Sequence, residues 1–211
     1  MRNFQKSLIL VFLILLIDQV VKIYIKTHMM IGEEHNVFGN WFIIHFTENK
    51  GMAFGMQLGG ELGKLFLSLF RILAIGAIAW YLLDIAKRQA PKVVLISISL
   101  ILAGAIGNMI DSAFYGLIFQ QSYTQVSDIF PKGGGEGKFL YGAVVDMLYF
   151  PVIDTTYPNW VPYLGGEPLQ FFRPVFNIAD SAITIGVFMI PFFWKKFNQI
   201  QPKNKITSKV E

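Results

Sequence analysis

"SLILVFLILLIDQVVKIY", residues 7–24, is an apolar run that carries a carboxylate, Asp18, and an ammonium, Lys22, in its second half. About 20 apolar residues cross a hydrocarbon core as a helix, and this run has the length and composition to do so. A charge placed in such a helix costs about 2.5–3.5 kcal/mol even on lenient scales. The pair therefore needs a reason to be there. Four residues apart, Asp18 and Lys22 lie on one helix face and can offset each other; Lys22 can alternatively snorkel to the surface with Asp18 as its balance. Arg2 and Lys6 precede the run as they would precede a secretory signal. No A-x-A-like cleavage site follows it, and charges lie inside it, so a retained helix is expected.

Three more stretches, 62–83, 93–111 and 175–194, have the same character. The chain of 211 residues is 54% hydrophobic and 15% charged, against about 25% charged for a soluble domain. An integral membrane protein follows. There is no Cys, which excludes disulfides, thiolate metal sites and a cysteine nucleophile. The net charge of +4 is split among short basic clusters, so nucleic-acid binding is not expected.

Those clusters set the expected orientation, because Lys and Arg in short flanks stay cytoplasmic. Arg2 and Lys6 precede span one; Lys87, Arg88 and Lys92 crowd the link between spans two and three; Lys195, Lys196, Lys203, Lys205 and Lys209 follow span four. Both termini are expected inside, with 27–61 and 112–174 outside and 195–211 as a cytoplasmic tail. In the first outer segment "WFIIHF" reads as a strand and "TENKGMAFG" as a turn with a return strand. The second holds Gly133–Gly135 and several prolines, and reads as turn-rich with at most short strands. The whole is expected to be one mainly α domain, 1–211: a four-transmembrane-helix bundle with a small extracytoplasmic β-sheet and an extended outer loop.

With that topology the polar residues of the spans collect near the outer interface. Asp18 and Lys22 lie in span one, Arg71 in span two, Asn108 and Asp111 at the end of span three, and Asp180 early in span four, behind Asn177. In a bundle such groups turn inward and pair, or line a wet cavity. Each has a plainer reading: Arg71 as a head-group contact, Asp111 as a helix-end or solvent group, Asp146 of "YGAVVDMLYF" as a structural acid. Two acids in an apolar surround cannot both ionise easily, so they share a proton, and the pair can activate water and polarise a carbonyl. Zinc chemistry has no H-E-x-x-H here, and no G-x-S-x-G is present. A small transporter or channel subunit using the carboxylates as an ion path, or an assembly factor binding a partner through its outer segments, remains an alternative.

Taken in order, the motifs resemble those of the lipoprotein signal peptidases (signal peptidase II), a family of bacterial membrane aspartyl proteases. "DQVVK" is similar to the family's first-helix pair, giving Asp18 and Lys22. "TENKGMAFG" is similar to its N-x-G-x-A-F loop, giving Asn49, Gly51 and Ala53. "GAIGNMID" matches its third-helix box, with Gly104, Asn108 and Asp111, and "VVDM" and "FNIAD" match the segments of the catalytic acids, Asp146 and Asp180. There are two departures. The family usually has Arg directly after the acid of the third-helix box, where this chain has Ser112; Arg173 is the first candidate to replace it and Arg71 a weaker one. The stretches 113–143 and 149–173 are also longer than the family's usual links.

The resemblance implies an enzyme of the bacterial cytoplasmic (inner) membrane, with its site near the extracytoplasmic interface. It implies cleavage of diacylglyceryl prolipoproteins on the amino side of the lipidated cysteine, contact with membrane lipid, no cofactor and no metal. A monomer and sensitivity to the cyclic peptide globomycin are expected with it. Asp146 and Asp180 are the implied catalytic pair. Asp18, Lys22, Asn49, Gly51, Gly104, Asn108, Asp111, Asn177 and Arg173 are expected to bind substrate or support the pair, Gly104 and Gly107 by permitting close helix approach.

Overall fold

The computed structural model describes residues 2–51, 60–171 and 174–200. Three of its helices are long and apolar enough to cross a membrane: Asn3–His28, Leu62–Lys87 and Lys92–Ile118. They are built from α1 (Arg2–His28), α2 (Gly60–Lys87) and α3 (Lys92–Ile110), the last continuing through a π-helical turn, Asp111–Tyr115, into the short α4 (Gly116–Ile118). Burial separates their roles. The most apolar stretch of the third is 61% buried, against 22% and 11% in the first and second. Helix α3 is thus the central post. α5 (Ile178–Phe192) lies against it, and a break at Phe193 leads into α6 (Trp194–Phe197).

The expected fourth span, 175–194, is shorter than its composition suggests. Val175–Phe176 is a strand, Asn177 is the N-cap, and the helix runs for 15 residues from Ile178. The cap decides the boundary: the Asn177 side chain accepts from the Asp180 N–H while the Asp180 carboxylate accepts from the Asn177 N–H, a reciprocal capping box. Asp180 therefore lies in the first turn of its helix.

Among the described residues there are six strands: β1 (Glu34–Phe38), β2 (Phe42–Asn49), β3 (Val144–Tyr149), β4 (Ile153–Thr156), β5 (Pro168–Phe171) and β6 (Val175–Phe176). β1-β2-β3-β6 form one antiparallel sheet, and β4 and β5 form a separate hairpin inside the long 149–173 stretch. The "WFIIHF" strand is present as part of β2, but its hairpin partner is β1, which precedes it. The return strand expected after "TENKG", Ala53, Arg173 and the tail residues Lys203, Lys205 and Lys209 lie outside the described residues.

Among the apolar clusters of the described residues, two hold these layers together. Val11, Leu82, Ile85, Val94, Leu95 and Leu102 join the three long helices. Ile25, Phe46, Phe119, Val145 and Met147 pin the sheet onto the ends of α1 and the α3–α4 run. Elsewhere the helices turn Phe12, Leu16, Phe66, Leu73 and Phe188 outward, the pattern of a surface made for hydrocarbon. The sheet thus sits as a cap over one end of the bundle, and Asp146 on β3 meets the start of α5 there.

Candidate active site

The charged residues of the first helix do not reach for the surface. Lys22 is 0% exposed, Asp18 1% and Asp111 0%. The Lys22 ammonium lies 2.8 Å from Asp18 Oδ2, 2.8 Å from Asp111 Oδ2 and 3.0 Å from Asn108 Oδ1. An ammonium has three donors, and all three are engaged. Gln19 Nε2 donates to Asp111 Oδ1 at 2.9 Å, and Tyr115 Oη donates to Gln19 Oε1 at 3.2 Å. Buried ions are tolerable when their remaining lone pairs and protons are matched in this way.

What the cluster holds matters more than how it balances. Asp18 Oδ1 accepts from the Ala179 N–H, and Asp111 Oδ2 accepts from the Val145 N–H at 3.3 Å. One acid therefore fixes the first turn of α5, and the other fixes β3 one residue before Asp146. Gly104 and Gly107 clear the way for this. A Cβ on Gly104 would run into the Ala179 carbonyl, and one on Gly107 would come within 2.8 Å of Asp18 Oδ2 and 3.2 Å of Ala179 Cβ. Small residues on a packing helix allow this closeness.

Asp146 and Asp180 meet through two asparagines. Asn177 Nδ2 donates to Asp146 Oδ1 at 2.7 Å, while Asn177 Oδ1 accepts from the Asp180 N–H at 2.9 Å. Asn108 Nδ2 donates to Asp180 Oδ1 at 2.7 Å, and Asn108 Oδ1 accepts from Asn177 Nδ2 at 3.1 Å. The two amides thus form a bridge with a carboxylate at either end. Asp146 is buried and Asp180 half-buried. Burial first, and then the charge of Asp180, push the Asp146 carboxyl up to about 7, against the pull of the Asn177 hydrogen bond. Such a pair can hold one proton between two groups near neutral pH.

Asn49 closes β2. Its side-chain oxygen accepts from the Gly51 N–H at 2.9 Å, and Gly51 has φ +87°, a left-handed conformation suited to glycine. Thr47 stands opposite Asp146 and Asn49 opposite Val144, so this turn borders the strand that carries the acid. Arg71 Nη1 donates to Ser112 Oγ at 3.2 Å, so this replacement candidate touches the departing position; Arg173 lies outside the described residues. Reading the sequence missed Gln19 and Tyr115, although a polar residue between Asp18 and Lys22 was a visible signal. It also missed the buried Lys26–Glu48 ion pair, which ties α1 to β2.

A helix bundle capped by a small sheet, with an acidic centre where they join, is the fold of a membrane enzyme. A solved structure of a bacterial membrane enzyme obtained by the in meso method has the same fold, with a TM-score of 0.61 at 24% identity over 94% of this chain and 93% of that one. A second is similar, with a TM-score of 0.59 at 26% identity over 90% and 92%. The family model for signal peptidase (SPase) II matches residues 10–195, and the chain belongs to that family. It is 50% identical over 182 residues to the lipoprotein signal peptidase of Porphyromonas gingivalis, covering 86% of this chain and 79% of that one. The lipoprotein signal peptidase of Amoebophilus asiaticus is 40% identical over 181 residues, covering 84% and 72%. The ion-path alternative is not favoured by this membership.

Proposed function

We propose that the chain is an aspartic endopeptidase that removes the signal peptide from diacylglyceryl-modified prolipoproteins, cutting on the amino side of the lipidated cysteine, with Asp146 and Asp180 as its catalytic pair. The observation that carries this reading is the Asn177–Asn108 bridge, which gives the two acids one shared hydrogen-bond system. The buried carboxylates Asp18 and Asp111 are engaged with Lys22, and Glu48 with Lys26.

The chemistry follows from the two environments. Asp180 lies in the first turn of α5, where the helix dipole favours an anion. Asp146 keeps its proton to about pH 7. Asp180 takes a proton from water, and the hydroxide attacks the scissile carbonyl carbon. Asp146 gives its proton to the carbonyl oxygen, forming a neutral gem-diol. As the intermediate collapses, Asp180 returns its proton to the leaving amine, the C–N bond breaks, and a diol hydroxyl re-protonates Asp146. The pair ends as it began.

Position supports the substrate class. The acids lie where the sheet meets the helix ends, and both termini are taken as cytoplasmic, so the site faces the extracytoplasmic interface and α5 is the fourth crossing. A cavity of about 210 Å³ is lined by Ile72 and Ile75 of α2 and by Ile106, Met109, Ile110, Ala113 and Phe114. Its apolar walls suit an acyl chain. The Asn49–Gly51 turn offers backbone groups to an extended peptide. The enzyme works as a monomer in contact with membrane lipid and is sensitive to globomycin.

Cleavage of a fluorogenic lipopeptide by purified protein tests the proposal. Asp146→Asn and Asp180→Asn should each abolish turnover while the protein stays folded. Turnover by either variant removes the pair from the mechanism. Ion flux in liposomes without hydrolysis favours the transporter reading instead.

A further inference from the structure

Arg71 lies within α2 with a half-buried side chain. A guanidinium carries five N–H donors in a rigid, permanently charged fork. Among the described residues its hydrogen-bond partner is the Ser112 hydroxyl at 3.2 Å, and Ser112 Oγ in turn donates to the Asn108 carbonyl at 3.0 Å. No carboxylate of the described residues stands within ion-pair distance of Arg71. Yet Ser112 directly follows Asp111, and Asn108 also donates to Asp180 Oδ1 at 2.7 Å, so Arg71 stands beside the acidic centre. Asp111 is engaged by Lys22, Gln19 and the Val145 N–H. Asp180 takes the Asn108 amide, and Asp146 the Asn177 amide.

The result is a braced cation that faces the acidic centre without closing on either acid. A partly desolvated guanidinium with idle donors is costly unless an oxygen acceptor occupies them. Peptide carbonyl oxygens are acceptors that such N–H donors can reach one by one. We propose that Arg71 is a substrate-orienting residue: its N–H groups other than the one on Ser112 grip backbone carbonyl oxygens of the bound peptide beside the scissile bond, while Ser112 fixes the angle of the guanidinium. This rests on the peptidase reading above.

Kinetics of lipopeptide cleavage by the purified full-length protein test it, with thermal unfolding measured alongside. A contact made equally in ground and transition states acts on KM. Arg71→Gln should raise KM about 10- to 100-fold, the range of a charge-assisted hydrogen bond, with kcat and the unfolding midpoint near wild type. Arg71→Lys keeps the charge but loses the fork, and should still raise KM. Since Arg71 Nη1 ends against Ser112 Oγ, the double variant R71Q/S112R returns a guanidinium to the same space and should recover much of the affinity. A wild-type KM in Arg71→Gln overturns the proposal. If Arg71→Gln does not fold, Arg71→Lys decides: a wild-type KM there overturns it equally. Asp180→Asn, run in parallel, separates the two claims. A dead Asp180→Asn beside a normal Arg71→Gln sinks only the role of Arg71, whereas turnover by Asp180→Asn sinks the peptidase mechanism.

Discussion

Asp18 Oδ1 accepts a hydrogen bond from the backbone N–H of Ala179 at 2.9 Å, across 161 residues of sequence. The acid of the first helix is therefore a second cap on the helix that carries Asp180, added to the one Asn177 provides. Asp111 performs the matching service for β3 through the Val145 N–H. Lys22 lies between these two acids, so one ammonium sets the separation of both elements that carry the proposed catalytic groups.

Lys22→Met tests that arrangement. It removes the cation and leaves Asp18 and Asp111 facing each other in a sealed pocket. Removing one partner of a buried ion pair costs about 3–5 kcal/mol. Denaturation in detergent should show a loss of that size, with cleavage falling in step.

Asp146 gives a pH signature. Its folded carboxyl holds a proton up to about 7, while an unfolded Asp releases it near 3.9. Between those values the folded state binds more protons, so stability falls as pH rises across that window. Unfolding midpoints measured from pH 4 to 8 should decline through it, and Asp146→Asn should flatten the decline. Cleavage should decay as pH passes about 7, where the proposed proton donor is lost.

Asn177→Asp isolates the bridge. It keeps an oxygen to cap α5 but replaces the donor facing Asp146 with a third carboxylate. The fall-off in cleavage should move to higher pH, because another negative charge holds the Asp146 proton more firmly. Asn177→Ala loses the cap as well, at a cost of about 1 kcal/mol. An unmoved pH profile in Asn177→Asp would mean that position 177 does not tune the acid.

Gly104→Ala should separate α5 from α3, since its methyl group has the Ala179 carbonyl in its way. Gly76→Ala is the matched control: a Cβ there meets nothing within 4 Å. The first variant should lose stability and cleavage together; the second should match wild type or gain slightly from helix propensity.

The sequence shows the apolar runs and their polar insertions plainly, because hydrocarbon length and charge cost act locally. Asp18 with Lys22 is legible as a pair for the same reason. That Lys22 bonds Asp111 as well, or that Asp18 caps a helix 161 residues away, depends on which helices pack together, and no local pattern carries that. Span four was read too long because Val175 and Phe176 are as apolar as the helix that follows; only the Asn177–Asp180 capping box marks the true start. β1 was missed as a strand because "EHNVF" is exposed throughout and carries no alternation to betray it. That Arg71 reaches Ser112 from the second helix likewise depends on helix packing, which no local pattern carries.

The π-helical turn Asp111–Tyr115 is one residue wider than an α-turn, and it falls where the third helix passes from Lys22 to the sheet. Such an expansion behaves like a single inserted residue. Deleting one residue there would let the turn close to an α-turn with its flanks in register, whereas a deletion elsewhere in the helix would wind the remainder by about 100°. The stretch should therefore absorb the loss of one residue more readily than the regular α-helical turns before it.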